Sequence, residues 1–244
     1  MMRAILTYHS IDGSGSPISV TPEAFRAHVE WLATGTVMVV SLTELLALAD
    51  EVDAVALTFD DALVSVATAA APLLAAHAFP ATVFAVTRHA GGDNRWNGRA
   101  DRGIPAQAVL GWDAVARLRR QGFAIGAHTR HHRHLRDCSR DELTDELAGS
   151  AEDIATTLGE RPTTLAYPYG DVDARVARAA GEQFAICCTT EFRPVRATDA
   201  RELIPRLDAW YFRDARRLRR WSTMTFRQSV TMRHALRLVR RVFH

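Results

Sequence analysis

At 244 residues, 48% hydrophobic and 24% charged, the chain has a globular composition and enough length for one large α/β domain, which excludes a disordered or fibrous segment. Its three cysteines, Cys138, Cys187 and Cys188, form neither a disulfide framework nor a spaced metal motif, and its longest apolar run, Val64 to Phe79, is Ala-rich, broken by His77 and too short to span a bilayer. Thirty arginines and no lysine face 28 acidic residues unevenly: residues 212–244 hold ten arginines against Asp214 alone, leaving an acidic body poorly suited to nucleic acid.

Arg3 to His9 reads as a first strand, followed by a Gly/Ser/Pro loop. The N-terminus has one positive charge, few apolar residues and no small-residue cleavage site, so the chain is expected to be cytoplasmic. Thr21-Pro22-Glu23 opens a helix with Thr as N-cap and Pro at the first position, and Phe25, Val29 and Leu32 give it an apolar face. Val37 to Leu42 is a second strand, with Ser41 or Thr43 capping a short helix after it. Val55 to Phe59 is a buried strand that ends in Asp60-Asp61 and feeds a helix from Leu63 to Ala78, and Pro80 to Val86 is the next strand. Residues 87–107 lack periodicity, as functional loops do, and Trp96 suggests a binding lip there. A helix from Trp112 to Gln121 precedes a strand, Phe123 to Ala127, that delivers His128. Ser139, with Glu142 three residues on, caps a helix to about Leu158. Then come a strand at Thr164 to Tyr167 ending in Pro168-Tyr169-Gly170, a helix at Val172 to Ala180, a strand at Phe184 to Thr189 and a last strand at Glu202 to Leu207. This alternation predicts an α/β fold with a parallel sheet, open or closed into a barrel.

Two adjacent carboxylates repel each other and are costly to bury unless a cation or a proton-transfer role accounts for one of them. Taken alone, Asp60-Asp61 is more often a helix N-cap. The segment 126–135 holds four of the ten histidines, and His128 and His132, four apart, can aim both imidazoles at one point. Two histidines with one carboxylate leave coordination positions open, as in a catalytic metal site. His131 and His134, among Arg130, Arg133 and Arg136, read instead as a solvated basic loop.

Thr58-Phe59-Asp60-Asp61, His128-Thr129-Arg130-His131-His132 and Tyr167-Pro168-Tyr169-Gly170 resemble, in order, the first three motifs of the polysaccharide deacetylases, the NodB-homology or carbohydrate esterase family 4 enzymes. The resemblance implies a distorted (β/α) barrel of about seven strands and metal-dependent removal of N-acetyl groups from amino sugars. It places Asp61, His128 and His132 on a divalent metal, zinc first, with cobalt, nickel or iron(II) as alternatives. Asp60 would be the general base, and the backbone N–H of Tyr169 would face the oxyanion. The general acid of most of the family is a histidine in a C-terminal Leu-x-x-His motif, which this chain lacks after residue 190. Leu6-Thr7-Tyr8-His9 fits it at the other end and resembles the permuted order of the poly-N-acetylglucosamine deacetylases. His9 is therefore the expected acid, reaching the substrate from the side opposite the base. Two positions depart from the pattern: Ala62 stands where a Gly is usual, and Ala166 where an Arg usually orients the base. Arg206 is the expected substitute.

The deacetylase-like domain is expected to span residues 1–211, and residues 212–244 to form a basic amphipathic tail. Such a tail can touch an anionic membrane, at the inner face for a cytoplasmic chain, or pack on the barrel through Leu218, Trp221, Phe226, Leu236, Leu238, Val239, Val242 and Phe243. Against the hydrolase stands a carbohydrate-binding relative that has lost catalysis, suggested by Ala166 and by the missing C-terminal acid motif. Asp60 weighs against it, because a binding protein has no use for a base beside a metal.

Overall fold

Parallel strands that are covered on both faces must be apolar throughout, and that is how the central strands of this chain are built. The computed structural model describes residues 1–242 and the side chains of residues 1–237; Phe243 and the side chains of Leu238, Val239 and Val242 lie outside the described residues. In chain order the strands are β1 (Arg3–Tyr8), β2 (Ser10–Ile11), β3 (Ser19–Val20), β4 (Met38–Val39), β5 (Ala54–Phe59), β6 (Ala81–Ala85), β7 (Ala124–Ala127), β8 (Thr164–Ala166), β9 (Ile186–Cys188) and β10 (Leu207–Asp208). The main sheet runs β10-β1-β5-β6-β7-β8-β9, with β4 beside the start of β5 and every pairing parallel. β1 and β5 are buried along their whole length and pair from Arg3↔Ala54 to Tyr8↔Phe59. The sheet curls towards closure at its edges, where Ile204, just before β10, bridges to Cys188 of β9. This is the expected distorted (β/α) barrel, with its first strand lying between β5 and its last.

The helices are α1 (Pro22–Leu32), α2 (Leu42–Ala47), α3 (Ala71–Ala76), α4 (Trp112–Arg120), α5 (Arg140–Thr144), α6 (Ser150–Leu158), α7 (Ala174–Gly181) and α8 (Met224–Val242). A π-helical segment, Val66–Ala70, runs into α3, and a second, Asp145–Gly149, joins α5 to α6. Ser41 takes the capping role at α2, accepting from Glu44 N while the Glu44 side chain accepts from Ser41 N. That cap ends the expected strand at Val37 to Leu42, which shortens to Met38–Val39. The last strand is also shorter than expected: Pro205 has no N–H to give a ladder, and only Leu207–Asp208 pairs fully with β1.

Phe212, Leu218, Trp221, Phe226 and Val230 belong to the main hydrophobic cluster. Trp221 lies 5.5 Å from Trp31 of α1, and Phe226 stacks on Phe212 at 5.5 Å. The first half of the tail thus packs on the barrel. Among the described residues no helix is long and apolar enough to cross a membrane.

Candidate active site

The chain leaves β5 through two residues in the left-handed region, Asp61 at φ 68° and Ala62 at φ 49°. Such a conformation costs a non-Gly residue roughly 1–2 kcal/mol. The turn excludes the N-cap reading of Asp61, because Asp61 and Ala62 are both left-handed, Leu63 bridges to Val109 and helical structure begins at Val64. The left-handed backbone of Ala62 is one that Gly adopts without strain, which accounts for the Gly usual at this position.

Asp60 is 3% exposed and is gripped by Arg206, with Nη1 donating to Oδ1 at 2.7 Å and Nη2 to Oδ2 at 2.8 Å. Arg206 is itself fixed, since its Nε donates to the Thr189 carbonyl at 3.0 Å. Burial pushes the Asp60 carboxyl up, but the Arg206 guanidinium, then His128 and His9, hold it at about 2. For Asp61 burial prevails, and its carboxyl is raised against the pull of His9 and His128. The pair is thereby divided into a carboxylate ionised at neutral pH and one that lacks an arginine partner.

Asp61 Oδ1 faces His128 Nε2 at 3.4 Å and His132 Nε2 at 3.5 Å. His128 Nδ1 donates to the Ala166 carbonyl at 2.7 Å, which leaves its Nε2 with the free lone pair. His132 is held well below the ordinary histidine range by burial first and by His128 and His9 next, so its imidazole is neutral. Among the described residues the buried side-chain polar atoms without a hydrogen-bond partner are Arg3 Nε, Asp61 Oδ1 and His132 Nδ1. An orphaned carboxylate oxygen facing two imidazole nitrogens fits a divalent cation, and ligand atoms of Asp61, His128 and His132 all lie within 4.8 Å of one another.

His9 stands at the tip of β1, 26% exposed, outside that trio, with Nε2 3.8 Å from Asp60 Oδ2. It lies beside the expected base rather than across from it. His9, Asp60, Asp61, Trp96, His128, His132 and Tyr169 line one cavity of about 110 Å³. Tyr169 sits in a left-handed turn, φ 59°, with its ring against His132 and His134 at 4.6 and 4.2 Å. Trp96 is 9% exposed and stacks on the His132 ring at 4.6 Å, so it backs a candidate ligand as well as lining the cleft. Seven of the eight expected site residues therefore line one cavity beyond the C-terminal ends of the strands, and Arg206, which precedes β10, holds Asp60 from behind it.

Sequence reasoning missed three others. Asp101 lines the cavity and accepts from Tyr169 Oη at 3.4 Å. Asp208, at the end of β10, has its carboxyl pushed up by burial, with His9 pulling it down; a carboxylate ending a strand was the available signal. Glu146 is 1% exposed behind the histidine loop. Its signal was a charge on the apolar stripe of Leu143, Leu147 and Ile154.

Comparison with known proteins follows the same lines. A family model described as polysaccharide deacetylase matches residues 48–184. Chitin deacetylase 1 of Cryptococcus neoformans is 38% identical over 61 residues, a stretch covering 25% of this chain and only 13% of that protein's length. The Streptococcus pyogenes deacetylase PplD, solved in complex with acetate, superimposes with a TM-score of 0.72 at 20% identity over 85% of this chain and 92% of its own. IcaB from Ammonifex degensii gives 0.71 at 21% identity, covering 86% and 94%. A de-N-acetylase from Aggregatibacter actinomycetemcomitans gives 0.69 at 17%, covering 94% and 100%. At these identities the superpositions show a shared fold.

Proposed function

The chain belongs to the polysaccharide deacetylase family, and from that premise we propose that it is a metal-dependent hydrolase that removes N-acetyl groups from amino sugars of a glycan or glycan precursor. The observation that carries this reading is the division of the carboxylate pair, with Asp60 locked on Arg206 and Asp61 pointing an unpaired oxygen at two histidines. Asp61, His128 and His132 would hold a divalent cation. Two imidazoles and a carboxylate suit zinc, and also cobalt, nickel or iron(II). Held there, the cation supplies Lewis acidity towards the amide carbonyl and acidifies the attacking water.

The remaining steps fall to the chain's own side chains. Asp60 is ionised at neutral pH and takes the proton of the attacking water. Arg206 keeps both carboxylate oxygens in place, so the base does not swing onto the cation. The Tyr169 backbone N–H, carried on its left-handed turn, donates to the oxyanion as the carbonyl carbon becomes tetrahedral. His9 protonates the departing nitrogen, because an amine leaves poorly as its anion. Arg206 does the work expected of the missing motif arginine, which favours an active enzyme over a binding relative. Asp60→Asn keeps the shape and removes the acceptor. Acetate release from an N-acetylglucosamine oligomer is expected to fall by roughly two to four orders of magnitude with zinc still bound; a near-normal rate would remove Asp60 from the role.

The tail gives the protein a second reading. Arg219 and Arg220 are exposed near Met224, and Met232 and Leu236 are 65% and 57% exposed further along α8. This is a basic surface with apolar side chains turned outward, suited to peripheral contact with an anionic membrane. The protein is expected to sediment with phosphatidylglycerol vesicles and to leave them as salt rises; no binding at low salt would withdraw the proposal.

A further inference from the structure

The loop that carries both candidate histidine ligands is held in an unfavourable shape. Thr129 and His132 have φ values of 64° and 58°, and neither is glycine. Residues in such conformations persist only where their surroundings over-determine them. Two bonds come from within the loop and its neighbour: Thr129 Oγ1 accepts from His132 N at 3.1 Å, and Thr87 N donates to the Thr129 carbonyl at 3.1 Å. Arg88 N donates likewise to the Arg130 carbonyl at 3.0 Å, and further bonds come from behind, from the π-helical segment Asp145–Gly149 and from Asp153 of α6.

Glu146 projects from that segment with its side chain 2% exposed. One oxygen, Oε2, accepts the backbone N–H groups of Arg130 at 3.0 Å and His131 at 2.9 Å, and Oε1 accepts from His131 Nδ1 at 2.7 Å. Although His131, Asp145 and Glu146 lie close enough to suggest a second cation site, both Glu146 oxygens already serve N–H donors of the loop. Arg130 adds a second prop: its Nε and Nη2 donate to Asp153 at 3.0 and 2.9 Å, and Nη1 pairs with Asp145. It can lie there because residue 149 is glycine, since a Cβ would stand 2.5 Å from Arg130 Nε. A π-bulge in a helix often marks a functional site; here it carries the carboxylate that grips the ligand loop.

From this geometry we infer that Glu146 is a positioning residue for the metal centre: it touches neither metal nor substrate, and it fixes the backbone between His128 and His132 so that the two imidazoles converge with Asp61. The inference rests on the reading of those three residues as ligands. Partners behind metal-bound histidines typically set affinity by 10–100-fold when lost.

The test is the affinity of the folded protein for Zn²⁺ alone, by competition with a chromogenic chelator. Glu146→Ala is expected to weaken zinc binding by roughly 10–100-fold. Glu146→Gln, whose amide oxygen can still accept the two backbone N–H groups, should stay within about threefold of the parent. Leu143→Ala, a cavity in the same helical layer, controls for loss of stability and should leave the affinity unchanged. Unaltered zinc binding in folded Glu146→Ala, or an equal loss in Leu143→Ala, overturns the inference. If Glu146→Ala does not fold, Arg130→Met takes its place, with weakened zinc binding expected and unchanged binding overturning the claim. Failure of the underlying ligand assignment looks different: the parent would bind no zinc, or His132→Ala would bind it as well as the parent.

Discussion

Asp60 and Asp61 are neighbours in sequence with opposite electrostatic settings, and the difference comes from one residue, Arg206. For Asp60 the burial cost is overcome by Arg206 together with His128 and His9, while Asp61 has no arginine partner and is raised by burial. A base must be ionised and a ligand oxygen must be free, so the same contact separates both roles. His28 shows the same reasoning away from the site. Its Nε2 donates to the Phe212 carbonyl at 2.7 Å and its Nδ1 faces Tyr8 Oη at 3.0 Å, a pattern met by the neutral ring. Burial holds it down to about 4, from an ordinary 6.5, against the upward pull of the Phe212 bond. The unfolded chain therefore takes up a proton first as the pH falls. This contribution is whole above about pH 6.5 and is lost on the way down to about 4, amounting to about 3 kcal/mol. The urea midpoint should accordingly drop further between pH 7 and pH 5 in the parent than in His28→Gln; equal drops would contradict it.

At the scale of elements, β1 decides whether the site is complete. It pairs with β10 from Leu6↔Leu207 to Thr7↔Asp208 on one side and with β5 on the other, which carries His9 to the rim that holds Asp60. A histidine at the chain's start can then do what a C-terminal one does elsewhere, because neighbours in a curled sheet need not be neighbours in sequence. His9→Ala should retain fold and zinc but lose most of the rate together with the alkaline limb of the pH–rate profile; normal turnover would leave the acid unassigned. Elements with continuous apolar runs, β1, β5 and β6, were legible in the sequence, as were capped helices such as α1 and α5. Short ones were not. The strand at Val37 to Leu42 gave way to the Ser41 cap, and the helix expected from Leu63 opens at Val64 but passes through a π-helical stretch, Val66–Ala70, before α3. The proposed ligand trio was legible through the family resemblance, and Arg206 only as an expected substitute for the motif arginine replaced by Ala166. Glu146 and Asp101 could not be assigned, since what they touch is set by how α5, α6 and the loop at residues 87–107 fold back on the rim.

Over the whole molecule, the charge division read from the sequence does not coincide with a division in packing. The arginine-rich tail begins the last layer of the core: Leu218, Trp221, Phe226 and Val230 are each 5% exposed or less. Fully burying a large apolar side chain is worth roughly 1.5–3 kcal/mol, so together they approach the net stability of an ordinary domain, about 5–15 kcal/mol. Cutting after Tyr211 would strip the core along with the charge, and membrane contact is better probed with the full chain. The central claim is that the site works through one cation held by Asp61, His128 and His132. It is tested most directly by stripping the protein with a chelator and following acetate release from an N-acetylglucosamine oligomer as zinc is titrated back. The account predicts no release from the stripped protein, full return at one equivalent of zinc, and no return in His132→Ala. Undiminished release after stripping, or full return in His132→Ala, would contradict it.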